Sequence, residues 1–366
     1  MIEQEFEQYA VSRVESTATL SFMPAYAARE FDVDYGQRFH SDPLYRIKQI
    51  QKAEKGYFNK FGEYGLGNPD PAPDLSVGIQ ALDFMNAAMG GRQLFGSEES
   101  VWTPDQPLSH IKNMDDAKNL KDISWEDNTC YQDLWRQTEI LLHDYPNDTV
   151  NAIQGVYRDG NNGENSFLTM HTPYTTAFRL LGDRILEYML LEEQLALEVF
   201  EYIKRQYLNL WSAILKRTGW TGTKIHFGDC AATMLSPDMY ESLLLPIYQS
   251  FMEQFTGCVI HSCGPSSHLL ELFAQIPNVK QLQLGDGTNL KQARSLFPDS
   301  SIIAYYDPGR LIADKPVEIE CKIWRMREAL DNNFIISCGE ADPDTPEENI
   351  VAFLETAQKL TADVKK

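Results

Sequence analysis

The chain has 366 residues, 43% of them hydrophobic, enough to bury a large core in one elaborated domain without a second folding unit. Its 32 basic and 53 acidic side chains leave a net charge of −21. That charge repels a phosphate backbone and an anionic membrane surface, so neither nucleic acid nor membrane is an expected partner.

Residues 1–15 carry Glu3, Glu5, Glu7 and Glu15 and no apolar stretch of the kind a signal peptide needs. No apolar run is long enough to span a bilayer, so a cytoplasmic location is expected. Cysteines at 130, 230, 258, 263, 321 and 338 are too sparse for a disulfide framework, which leaves free thiols and metal ligands.

The first 150 residues are irregular, with glycine and proline in 65–73 and another loop at 103–107. The first strands are expected there, interrupted by helical excursions. Residues 1–75 read as an N-terminal helical or irregular extension packed on a barrel formed by 76–366. Residues 167–170 form a short apolar run that suits a strand ending at His171. Apolar residues at Ile185, Met189, Val199, Phe200, Ile203, Tyr207 and Leu210 then recur at helical spacing and predict one or two long amphipathic helices.

From about residue 220, short β-branched or aromatic runs alternate with helical stretches. Strands are predicted at 224–227, 258–263, 279–284, 302–306 and 334–338, the pattern of repeated βα units around a parallel sheet. Ser236-Pro237-Asp238 starts one helix, and Thr345-Pro346-Glu347-Glu348 reads as a capping box with proline at the first helical position.

The densest chemistry lies in Cys258-Val259-Ile260-His261-Ser262-Cys263-Gly264. A period of two puts Val259, His261 and Cys263 on one face, so imidazole and thiolate leave the strand end side by side. Cys338 ends another strand, just before Gly339, Glu340 and the Asp342-Pro343-Asp344 loop. In a barrel such ends converge on one mouth. One nitrogen and two sulfurs suit Zn²⁺, and three ligands leave a fourth position for substrate or water. A structural histidine and two buried cysteines are the competing reading. Asp229 is a candidate catalytic group that orients substrate or adds a metal ligand, or else caps the following loop. Cys230 could join the metal, with a bystander thiol the favoured reading. His171 and Tyr174 are candidate substrate-lining residues, with packing at a helix start the alternative for Tyr174.

Several stretches share order and approximate spacing with a known family. They are Thr172-Pro173-Tyr174-Thr175-Thr176-Ala177-Phe178-Arg179-Leu180-Leu181-Gly182, Gly228-Asp229 with Leu235-Ser236-Pro237-Asp238-Met239-Tyr240, and Leu245-Pro246. His261-Ser262-Cys263-Gly264 follows, and then Cys338-Gly339 leading to Thr345-Pro346-Glu347-Glu348-Asn349-Ile350. Over residues 166–360 the chain resembles the uroporphyrinogen decarboxylase superfamily. Within it, the chain is similar to the zinc-containing, corrinoid-linked methyltransferases such as those methylating coenzyme M. The resemblance implies a (β/α)₈ TIM barrel, zinc on His261, Cys263 and Cys338, and transfer of a methyl group between a small methylated substrate or thiol and cobalamin. No Asp-x-His-x-x-Gly segment of the cobalamin-ligating kind is present, so the cobalamin is expected on a partner corrinoid protein. The family often has paired aspartates where this chain reads Gly228-Asp229-Cys230, and the decarboxylases' N-terminal arginine motif is missing: Arg13, Arg29 and Arg38 stand in no such pattern. A decarboxylase and a non-catalytic barrel that only binds are the alternatives.

Overall fold

The computed structural model describes residues 18–77, 81–98, 101–148, 150–152, 167–218, 224–331 and 333–364; the acidic stretch at 1–15 lies outside them. The strands are β1 (Ala18–Phe22), β2 (Ser76–Val77), β3 (Asn151–Ala152), β4 (Phe167–His171), β5 (Lys224–Gly228), β6 (Gly257–Ser262), β7 (Val279–Leu284), β8 (Ser301–Tyr305) and β9 (Phe334–Ala341). Seven of them form one sheet in the order β1-β9-β8-β7-β6-β5-β4, and β2 pairs with β3 separately. Every pairing between these strands is parallel. Parallel neighbours demand crossovers, and helices supply them. Arg184–Leu191 and Glu193–Thr218 lie between β4 and β5, Leu290–Leu296 between β7 and β8, and Pro316–Leu330 between β8 and β9. The first strand lies against the last, which is how a (β/α)₈ barrel of TIM type arranges its ends. Among the described residues no helix is long and apolar enough to cross a membrane.

The predicted strands from 224 onward are present, β7 with the predicted bounds and the others with ends moved by no more than three residues. The N-terminal boundary needs correction. Residues 18–22 are not part of an extension but a barrel strand, pairing Ala18 with Ile336 and Thr19 with Ser337. Ala-Thr-Leu-Ser-Phe is too short and weakly β-branched to declare itself locally; its burial against β9 makes it a strand. The helices Pro24–Phe31, Gln37–Ser41 and Pro43–Phe61 are then an excursion between β1 and β2.

The Ser236 cap forms, its Oγ accepting from the Met239 amide at 3.3 Å. The capping box expected at Thr345 does not: its buried Oγ1 has no hydrogen-bond partner among the described residues, and the helix is Glu347–Val364. The helix Glu193–Thr218 buries a stripe from Leu195 to Ile214 that includes a fully buried Gln206. Gln206 is satisfied by accepting from the Ile123 amide at 2.8 Å and donating to Asp122 at 2.7 Å, so it ties the N-terminal half to the barrel wall.

Strand parity sorts side chains into two layers. Phe227 points out, stacked on Tyr248 and edge-on to Phe251 of the surrounding helix. Its neighbour His226 points in, with its ring 5.8 Å from that of His261. Register carries the inner layer round the sheet: Gly228 pairs with His261, His261 with Gln283, and Tyr305 with Ser337. The interior is therefore polar near its C-terminal mouth, while Ile260, Leu282, Leu284 and Ala304 pack outward against helices.

Candidate metal centre

β5 and β6 are hydrogen-bonded neighbours, so the loops leaving their C-terminal ends start side by side. Cys230 opens a short 3₁₀ turn, Cys230–Met234, after β5. Cys263 follows β6 directly. Their sulfurs are 2.8 Å apart, and His261 Nε2 lies 2.9 Å from Cys263 Sγ. The ligand atoms of Cys230, His261 and Cys263 all fall within 4.8 Å of one another, forming a Cys/His group able to hold a metal ion. Sulfur is a weak hydrogen-bond donor and acceptor, so hydrogen bonds among three such crowded atoms are weak. A cation that accepts all three lone pairs fits the donor set. Cys263 and His171 both hydrogen-bond Cys230 and pull its thiol well below the usual range, while the same contact and burial push Cys263 up.

His261 is presented by a hydrogen-bond chain. Its Nδ1 lies 2.8 Å from Gln283 Oε1, which also accepts from the Tyr305 hydroxyl at 3.2 Å. The Gln283 amide nitrogen donates to Gln281 Oε1 at 3.3 Å. Oε1 can only accept, so His261 carries its proton on Nδ1 and leaves the Nε2 lone pair for a metal. His226, buried beside it, is held well below its normal range by desolvation and by the neighbouring imidazoles, and stays neutral.

Two glycines allow this crowding. A Cβ on Gly228 would come within 2.7 Å of the His171 ring. A Cβ on Gly285 would lie 2.0 Å from the Cys263 carbonyl oxygen, against backbone that has no rotamer to change. Gly285→Ala should therefore displace Cys263, costing about 1–3 kcal/mol in denaturant unfolding and weakening metal binding. Unchanged stability and metal content in that variant would contradict the packing described.

The structure brings His261 and Cys263 together, as expected, but not Cys338. Ser337 shares the inner face with Tyr305, so Cys338, one residue on, points outward. It is fully buried, its charged neighbours are Asp307 and Lys322, and burial pushes its thiol up. Cys230 occupies the place expected of Cys338. Asp229 also lies behind the centre. Its carboxylate accepts from Thr172 Oγ1 at 2.6 Å, Tyr248 at 2.9 Å and Tyr240 at 3.1 Å, and burial lifts it to about 6 against those donors. It touches none of the three ligands with its side chain and instead fixes the chain from which Cys230 projects. His171 does stand at the group, beside Cys230. Tyr174 is core, fully buried and edge-on to Phe200. Sequence reading placed Cys230 as a bystander thiol ahead of a member of the metal group, and it did not single out Gln281 and Gln283. The available signal was that Cys230 and Cys263 each lie one or two residues beyond the ends of consecutive strands.

An α/β barrel with a Cys/His group able to hold a metal ion at the C-terminal ends of adjacent strands is the class that fold and site define. The family model described as Uroporphyrinogen decarboxylase (URO-D) matches residues 167–360, and the chain belongs to this family. Among solved structures, a methyltransferase from Methanosarcina mazei has the same fold, with a TM-score of 0.56 and 14% identity over 95% of each chain. No curated protein matches the chain significantly.

Proposed function

We propose that this protein is a zinc-dependent methyltransferase that moves a methyl group between a small methylated substrate or thiol and a cobalamin carried by a partner corrinoid protein. The observation that carries the reading is the convergence of Cys230, His261 and Cys263 at the barrel mouth. Two sulfurs and a nitrogen suit zinc, and three protein ligands leave one position open. Bound there, zinc would keep a thiol substrate deprotonated and nucleophilic near neutral pH, or polarise the departing heteroatom of a methylated substrate. The chain's own residues prepare this. Gln283 orients His261, Asp229 anchors the loop of Cys230, and Gly285 lets Cys263 approach. With a thiol acceptor, the thiol proton leaves on binding and the sulfur lone pair forms the new carbon–sulfur bond. The donor's bond to the methyl breaks, and its electron pair stays with the donor.

Protein purified without added metal should contain about one zinc per chain. Supplied with methylcobalamin and thiols, or with reduced cobalamin and methylated substrates, and with a corrinoid protein where free cobalamin reacts poorly, it should transfer methyl groups only when zinc is present. Absence of zinc both as purified and after reconstitution would defeat the reading. So would zinc-independent release of carbon dioxide from a porphyrinogen.

A further inference from the structure

β5 and β6 pair in register with Gly228 opposite His261, and the Asp229 amide donates to the His261 carbonyl at 2.7 Å. Cys230 and Cys263 each stand two residues beyond one member of that pair, so both sulfurs are sent out from anchored backbone. They meet at 2.8 Å. Two bonded states lie close to that separation. A disulfide needs about 2.05 Å between its sulfurs. A tetrahedral zinc with Zn–S bonds of about 2.3 Å holds two sulfurs about 3.8 Å apart. The pair stands between the two, about 1 Å or less from either, and small side-chain rotations reach both.

The two states exclude each other. A metal binds the thiolate of cysteine, and a disulfide has spent those electrons in its S–S bond. Oxidation therefore removes two of the three donors and leaves His261 alone. An ion in the group, conversely, draws on both sulfurs and holds them too far apart to join. Access favours this pair: Cys263 is exposed and Cys230 half-buried, whereas Cys258 and Cys338 are buried. A centre built from Cys263 and Cys338 would have no such alternative, because Cys338 faces the helices.

We propose that Cys230 and Cys263 form a redox switch on the metal centre, closed to a disulfide by peroxide when the centre is empty of metal and reopened by thiols. The inference rests on the reading of Cys230, His261 and Cys263 as a metal group. In the first step the Cys263 sulfur attacks one oxygen of hydrogen peroxide, the O–O bond breaks, and a sulfenic acid and water result. The Cys230 sulfur then attacks the sulfenic sulfur. The S–S bond forms, the S–O bond breaks, and the hydroxyl leaves as water with the Cys230 proton. Two thiols have lost two electrons and peroxide has become two waters. A dithiol reverses the bond by exchange.

The test exposes protein stripped of metal by chelation, and protein loaded with zinc, to the same dilute hydrogen peroxide. Free thiols, cross-linked peptides and zinc affinity are then measured. Cleavage after glutamate separates the two cysteines, because Glu241 and Glu253 lie between them. The stripped protein should lose two of its six thiols, with fragmentation placing the link between Cys230 and Cys263. Its zinc affinity should fall on the order of 100-fold, and dithiothreitol should restore both thiols and affinity. Zinc-loaded protein should keep its thiols. Cys230→Ser should leave Cys263 to proceed to a sulfinic acid that dithiothreitol does not reverse. Cys321→Ser, at an exposed position on the helix Pro316–Leu330, should oxidise at the pair as the wild type does. If the reduced protein binds zinc but peroxide gives no Cys230–Cys263 link, or the linked protein still takes up zinc, this inference is overturned and the metal reading stands. Equal oxidation with and without zinc overturns it as well. If the reduced protein binds no zinc, both fall together.

Discussion

Cys230→Ala is expected to lose most bound zinc, with affinity lowered on the order of 100-fold or more, while the barrel stays folded. Cys338→Ala is expected to do the reverse. Cys230 contributes one of three converging donor atoms at a partly open mouth, and no core packing depends on its sulfur. Cys338 is a fully buried sulfur in the layer between sheet and helices, so its truncation leaves a small cavity worth about 1–2 kcal/mol and a melting point a few degrees lower. Cys263→Ala and His261→Ala should follow Cys230→Ala. Zinc content by elemental analysis, with circular dichroism on the same samples, checks all four variants. Zinc retained in Cys230→Ala and lost in Cys338→Ala would reinstate Cys338 as ligand and require β9 to turn over by one residue.

The second large effect concerns Asp229. Asp229→Ala deprives three hydroxyls, from Thr172, Tyr240 and Tyr248, of a shared buried acceptor. Unsatisfied buried donors are costly, and the expected destabilisation is about 3–5 kcal/mol, with zinc affinity falling because Cys230 is the next residue. Asp229→Asn keeps one acceptor oxygen and should cost less, about 1–2 kcal/mol. Denaturant unfolding of the two variants gives the comparison directly. Wild-type stability and zinc content in Asp229→Ala, with activity alone abolished, would show instead that the carboxylate meets the substrate, the catalytic role its sequence position first suggests.

These two expectations mark where the sequence was and was not legible. The strands at 224–228, 257–262 and 279–284 announce themselves because buried parallel strands are short apolar runs between helix signals. His261 and Cys263 follow from one strand's period of two. Cys338 failed because its side depends on register across β8 and β9, which no local pattern encodes. A single residue of parity separates ligand from core. Cys230 ranked behind the bystander reading for a related reason: it lies beyond a strand end, where alternation stops and the turn decides direction. β1 was missed because its stability comes from β9, more than 300 positions away, as the Thr19–Ser337 hydrogen bond across a separation of 318 illustrates. Gln283 needed three-dimensional proximity to His261 before its amide had any meaning.

The donor atoms of the group come from the C-terminal end of β6 and the loops after β5 and β6, two adjacent strands, and none comes from the seam where β9 meets β1. A ligand on β9 would have stapled that part of the barrel to β6 across its diameter, making closure and metal loading one event. An ion held by this group would be confined to a single wall. The rest of the scaffold could then fold, bind or drift in sequence without consulting it, and a handful of exchanges at the ends of two neighbouring strands would be enough to gain or discard such a group on this architecture.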